Sequence, residues 1–247
     1  MSNHLIIRPL PLAVVATGLA SASQLLSPEP KQVAVANGGA ATIALDLGAA
    51  TAIDIVFIGY TNDSGAGSFA MSYGPATGFE NAVAGAMTAL PTKLIGGRPH
   101  FLKVLAAPVT ARFIGLTANL AAGFEIGVVA LGKALRPALG PEFGHGKGVI
   151  DTGTATRRRD GGFAIDPGTR ATSFQWTLGD LTDDERDQLY AILQDRGETR
   201  SVLIVEGTEP SPALSERLHW SLMTRIEAYE RRDPELTRWS LKTQDWA

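Results

Sequence analysis

Apolar positions along this chain fall mostly into short runs with a period of two, each closed by Gly, Pro, Asn or Ser. The densest lie in ATIALDLGAATAIDIVFIGYTN, residues 41–62. The first run, residues 42–47, alternates loosely. The second, residues 52–60, sets Ile53, Ile55 and Phe57 on one face and Val56 and Ile58 on the other. β-Branched and aromatic residues at that period, ended by Gly and a polar Thr-Asn-Asp-Ser-Gly cluster, predict two strands joined by an Asp-Leu-Gly turn. With both faces apolar, the second strand belongs in the middle of a β-sandwich, covered on both sides.

Further strands are expected at residues 5–7, 13–16, 32–36, 68–73, 101–105, 111–118 and 124–131, a spacing that suggests a sandwich or jelly roll. Residues 66–90, small and Gly-rich, read as a long loop holding one strand. Pro and Gly then crowd residues 135–146 and no period survives, which divides the chain into a first domain at 1–135, a linker at 136–150 and a second domain at 151–247. Arg157, Arg158 and Arg159, followed by Asp160-Gly161-Gly162, read as an exposed hairpin tip or flexible arm.

The second domain has a different pattern. Residues 171–178 alternate cleanly, with Phe174, Trp176 and Leu178 on one face. Residues 183–196 predict a helix: Thr182 is a good N-cap, Glu185 completes a capping box, and acidic residues fill the positive first turn. Leu189, Ile192 and Leu193 make its apolar stripe, and Gly197 supplies the stop. Strands at 201–206, 218–229 and 236–242 follow, anchored by Trp220, Trp239 and Trp246. The fold class is therefore mainly β, a sandwich followed by a sheet or small barrel with one α-helix.

Charge and composition narrow the function. A formal charge of -3 argues against a general nucleic-acid binder or a membrane-surface protein. The absence of cysteine excludes disulfides and thiolate metal sites. Residues 10–23, LPLAVVATGLASAS, are similar to a signal-peptide core with an Ala-Ser-Ala cleavage site, but Pro9 and Pro11 interrupt the run and a folded strand is the better reading. No apolar stretch is long enough for a membrane-spanning helix, so no membrane insertion is expected.

No catalytic apparatus stands out. Gly144-His145-Gly146-Lys147-Gly148 fails as a phosphate loop, because Pro141 and Gly148 occupy positions that need Gly and Ser or Thr. His4, His100, His145 and His219 are scattered without metal-ligand spacing, and His219 reads as a surface or interface residue. Ser211, Ser215, His219 and Asp233 lack the elbow sequence that would support a hydrolase triad. No carboxylate pair announces a glycosidase cleft. The expectation is a protein that is not an enzyme, with no cofactor and no metal.

Two resemblances then bear on function. Ala20-Ser21-Ala22-Ser23, Ala44-Leu45-Asp46-Leu47-Gly48, the strand ending at Tyr60 with Thr61-Asn62, and the closing runs at 111–116 and 125–131 resemble the galactose-binding-like (discoidin) sandwich. The second half, with Ser173-Phe174-Gln175-Trp176-Thr177-Leu178, then Leu181-Thr182-Asp183-Asp184-Glu185-Arg186, the apolar run at 202–205 and the closing strand at 238–242, resembles the distal and minor tail proteins of long-tailed bacteriophages and of phage-derived gene-transfer particles. The resemblance implies a tail-tube-like domain assembling as a ring, six copies expected, between tail tube protein and tail-tip hub proteins. It implies a virion component made in the bacterial cytoplasm, with DNA only as transient cargo of the lumen.

Interface residues expected on that reading are Arg157, Arg158, Arg159, Trp220, Trp239 and Trp246. A sugar face would need an aromatic platform with amide and guanidinium donors, for which Tyr60, Asn62, Asp63, Tyr73, Phe79, Arg98 and His100 are candidates. Asn62-Asp63-Ser64 is also a glycosylation sequon, meaningful only in a secreted eukaryotic protein. The rival to a structural tail component is thus a carbohydrate-binding module or receptor-binding adhesin recognising a host surface glycan.

Overall fold

A computed structural model describes residues 4–62, 67–94 and 97–246. The protein is mainly β, built from antiparallel sheets, with the single α-helix Asp183–Arg196 among the described residues. No helix in them is long and apolar enough to cross a membrane. The chain forms two compact units. One contains Asn3–Arg136 together with Leu203–His219; the other contains Pro137–Val202 and Trp220–Ala247. This differs from the expected uninterrupted second domain at 151–247. Residues 203–205 pair with Leu5–Ile7, Leu5 standing opposite Val205, and that pairing draws the segment into the first unit.

The first unit is organised around two long strands, Gly39–Gly59 and Phe101–Leu120, antiparallel along their whole length. The expected Asp-Leu-Gly turn is instead a bulge within one strand. Gly48 takes a φ of 77°, which glycine adopts without a Cβ penalty, and the Asp46 Oδ1 accepts its N–H at 2.8 Å. Residues 101–105 and 111–118 likewise merge into one strand. Pro108, which has no N–H to donate, lies where the register shifts between the pairs at Ile53 and Ile55.

The bulges bend this ribbon so that its two halves serve different layers. Ala13–Ala16 pairs with residues 44–46 of the first half, and Ser68–Gly74 pairs with residues 113–117. Val128–Gly132 pairs with residues 55–59 of the second half. Between the layers lies a core that includes Ile43, Leu45, Val56, Ile58, Met71 and Ile114, with the Phe69 ring edge-on to Phe101 at 5.1 Å. Ile53 belongs to this core along with Val56 and Ile58, not on the face of Ile55 and Phe57 that strict alternation predicted. The register shift between Ile53 and Ile55 moves it across.

Residues 53–59 are all buried, as expected of a strand covered on both sides. Leu5–Ile7 is flanked by Ala134–Leu135 and residues 203–205 in an antiparallel arrangement, every residue of which is buried. Asp54, 1% exposed, holds the long strand to it, accepting the Ala134 N–H at 2.8 Å and pairing with Arg136. The segment read as similar to a signal peptide is two strands of this unit, Ala13–Ala16 and Leu19–Ala20.

In the second unit the order across the sheet is Gly146–Asp151, Arg170–Leu181, Thr237–Asp245 and Leu218–Ile226. Phe174, Trp176 and Leu178 point inward as their alternation requires. The helix carries the capping box of Thr182 and Glu185, and buries Leu189, Ile192 and Leu193. Residues 136–150, expected to be a linker, are structured. Gly146–Asp151 is a strand, and the Glu142 carboxylate is gripped by Arg238 at 2.9 and 3.1 Å. A separate two-stranded hairpin, Thr154–Arg157 with Phe163–Asp166, projects the arginine run at its tip.

Candidate ligand-binding site

The bent ribbon brings both of its ends to one end of the sandwich, where Gly59 and Leu120 run into loops. Beyond Gly59 the chain turns sharply. Tyr60 has φ 57°, a conformation non-glycine residues rarely adopt, and two contacts hold it there. Its N–H donates to His100 Nδ1 at 3.0 Å, and its carbonyl accepts Arg98 Nη1 at 3.3 Å. Thr61, fully buried, donates both N–H and hydroxyl to the Pro99 carbonyl, at 3.2 and 2.9 Å.

Asn62 spends its amide on the neighbouring loop. Nδ2 donates to the Gly123 carbonyl at 2.9 Å and Oδ1 accepts the Glu125 N–H at 2.8 Å. It staples two loops and has little left for a ligand. Glu125, which the sequence reading missed, faces Arg98 across 2.9 Å, with both side chains partly exposed at 31% and 45%. The two present a carboxylate acceptor and further guanidinium donors side by side at the surface. Gly127 permits the arrangement, because a Cβ there would lie 2.4 Å from the Pro30 carbonyl oxygen and 2.8 Å from Tyr60 Cβ.

His100 sits beneath, 7% exposed, with the Tyr60 ring edge-on at 5.1 Å and Phe57 at 5.3 Å. Accepting a hydrogen bond at Nδ1 makes it neutral, with its proton on Nε2. Burial, and secondarily the nearby His219, push its pKa down to about 3. It is therefore a structural support and not a surface contact for a ligand. His219 is also buried, at 2%, and pairs with Glu206, where a surface or interface position was expected; it lies on a strand whose neighbours Leu218 and Trp220 are buried too.

Of the seven expected sugar-site residues, Tyr60, Asn62, Arg98 and His100 converge, and Asp63 lies outside the described residues. Tyr73 and Phe79 lie elsewhere. Tyr73 stands opposite Ile114, about 20 Å back from the Leu120 end at the strand rise of ~3.3 Å per residue. It packs against the core, while Phe79 covers Gly115. In the second unit Arg157, Arg158 and Arg159 are exposed, but Trp220 and Trp239 are buried core residues, and Trp246 is half-buried with its Nε1 donating to Ser201 at 2.9 Å. As placed, Trp220 and Trp239 offer no interface surface. Ser215 bonds to backbone, and Asp233 caps a turn by accepting the Glu235 and Leu236 N–H groups. Among the described residues no group of His, Cys, Asp and Glu could hold a metal ion.

No protein family and no curated protein sequence matches the chain. Two solved structures do: the lectin domain of lectinolysin complexed with Lewis B antigen, and a histidine mutant of that domain complexed with Lewis b. Each is 14% identical with a TM-score of 0.36, covering 51% of this chain and 94% and 93% of the respective domain. At that identity and that score, neither match bears on what this chain binds.

Proposed function

We propose that the first unit is a carbohydrate-binding module whose site is the Tyr60–Arg98–Glu125 corner at the loop end of the sandwich. The observation that carries this reading is the adjoining donor and acceptor of Arg98 and Glu125, placed beside a half-buried aromatic ring held in a strained turn. Neighbouring hydroxyls of a neutral sugar need such a pair, and the apolar face of the sugar needs the ring. His100, Thr61 and Asn62 hold the corner rigid. The test is a glycan array with the full chain, followed by titration of the hits. Binding to a defined sugar that is lost in Arg98→Ala and Tyr60→Ala, with unfolding unchanged, is the expected result. A chain that binds no glycan even at millimolar concentration refutes it.

A second reading concerns the other unit: a virion component that closes a ring, expected to be of six copies, in a phage-type tail tip between tube and hub proteins. One feature favours it. The hairpin Thr154–Arg157 with Phe163–Asp166 sets Ala155, Arg157, Phe163 and Ile165 on one face, and Phe163 and Ile165 are 62% and 73% exposed. A lone two-stranded hairpin is only marginally stable, so an apolar face of this kind calls for a covering partner. Among the described residues, Arg157, Arg158 and Arg159 have no carboxylate partner within the chain. Native mass spectrometry and negative-stain imaging decide it; a strictly monomeric particle at high concentration, alone and with tube protein, sinks it. The two readings are compatible, since a tail-tip ring can carry a sugar-binding domain.

A further inference from the structure

Residues 97–100, which bear Arg98 and His100, are held from within the sandwich by Tyr60, Thr61 and Glu125, while Ala89 bridges Phe101 and the Leu90 N–H donates to the His100 carbonyl. A second set of bonds, to residues 90–94 and to the His100 N–H, comes from more than a hundred residues downstream, on the short 3-10 helix Leu214–Arg217. Ser215, 3% exposed, donates its hydroxyl to the Leu90 carbonyl at 2.9 Å, accepts the His100 N–H at 3.1 Å, and donates its own N–H to the Pro91 carbonyl at 3.0 Å. One oxygen of Glu216 accepts the Lys93 N–H at 2.7 Å, the Leu94 N–H at 2.9 Å and the Thr92 hydroxyl at 3.3 Å. Bonds to an ionised carboxylate are the stronger kind, and these two residues fix the loop at both ends.

We propose that Ser215 and Glu216 are positioning residues of the sugar site, an inference that rests on the carbohydrate-binding reading above. The path is short. Ser215 fixes the backbone of His100, whose Nδ1 fixes the Tyr60 N–H and with it the left-handed turn that presents the aromatic ring. Glu216 fixes the backbone at Lys93 and Leu94, and the Leu94 carbonyl in turn accepts the Gly97 N–H at 3.0 Å, one residue before the Arg98 that meets Glu125. Preorganisation of this kind raises affinity by removing an ordering cost, with no added contact to the ligand. The segment 203–219 therefore belongs to the site functionally, although none of its residues lies at the corner.

The experiment compares the full-length chain with Glu216→Ala, Glu216→Gln and Ser215→Ala. It reads amide exchange at Lys93 and Leu94, the thermal midpoint, and binding of a galactose-terminated probe together with the glucose-, mannose- and fucose-terminated members of a panel. Glu216→Ala speeds exchange at Lys93 and Leu94 about tenfold or more, the scale of a lost charged hydrogen bond, and weakens binding several-fold with little change in midpoint. Glu216→Gln, which keeps an acceptor oxygen, recovers part of both effects. Unchanged exchange in Glu216→Ala overturns the proposal. So does faster exchange with affinity for the bound probe unaltered. If the wild-type chain binds no probe while the exchange effect is present, the carbohydrate-binding reading has failed and takes this role with it. The exchange data identify that case.

Discussion

Acid stability is where the buried His100 makes its largest demand. Its pKa falls from 6.5 to about 3 in the folded chain because burial penalises the imidazolium, with the nearby His219 adding to the effect. The unfolded chain binds the proton more readily, so the neutral, buried state contributes fully above pH 6.5, and its contribution is lost as pH falls toward 3. Between those limits the loss approaches about 1.4 kcal/mol per pH unit, or about 2.5 kcal/mol between pH 7 and 4.5. Protonating Nδ1 would also break the bond from the Tyr60 N–H, so the loop end of the sandwich should fail first. His100→Gln offers an amide oxygen to that N–H without titrating in this range. The assay is urea unfolding at a series of pH values. It is read by amide exchange at residues 53–59, because all four tryptophans, Trp176, Trp220, Trp239 and Trp246, belong to the other unit. The difference between wild type and His100→Gln isolates the His100 contribution from the other titrating groups. Identical pH slopes for the two proteins would refute the reasoning.

Three further perturbations test the packing and the site. Phe69→Ala removes a fully buried ring that meets both Phe101 and Phe124, and should cost about 3–5 kcal/mol in the first unit by urea unfolding, leaving tryptophan fluorescence of the second unit in place. Thr182→Ala removes the N-cap whose hydroxyl accepts the Glu185 N–H at 3.3 Å, and should destabilise the second unit by about 1 kcal/mol, seen in its tryptophan signal. Gly127→Ala forces a methyl toward the Pro30 carbonyl and Tyr60 Cβ, so it should lower the affinity for any bound glycan by more than it lowers the thermal midpoint. Equal proportional losses would show that Tyr60 is not held in place by that close approach.

The sequence carried local structure well. The capping box, apolar stripe and glycine stop placed the helix Asp183–Arg196 at its observed bounds, because helix signals act within a few residues of one another. Alternation at residues 171–178 named the buried aromatic face, and two apolar faces at residues 53–59 marked a strand covered on both sides. Composition alone could not separate a turn from a bulge. Asp46-Leu47-Gly48 suits either, and only pairing across to Phe113 and Ala111 made it a bulge that carries one strand between two layers. The same bulges moved Ile53 to the other face, which period-two reading has no means to see.

The site divides along the same line. Tyr60, Arg98 and His100 were legible as residue types suited to a sugar, since aromatic and guanidinium groups announce themselves in any sequence. Their convergence, the exclusion of Tyr73 and Phe79, and the entry of Glu125, Ser215 and Glu216 depended on the bend of a ribbon and on a segment returning from residue 203 to pair with Leu5–Ile7. Those are contacts between residues far apart in the chain, set by which buried surfaces and backbone groups find partners. A local pattern fixes how each element begins, ends and faces; tertiary burial alone decides which of its polar side chains remain free to meet a ligand.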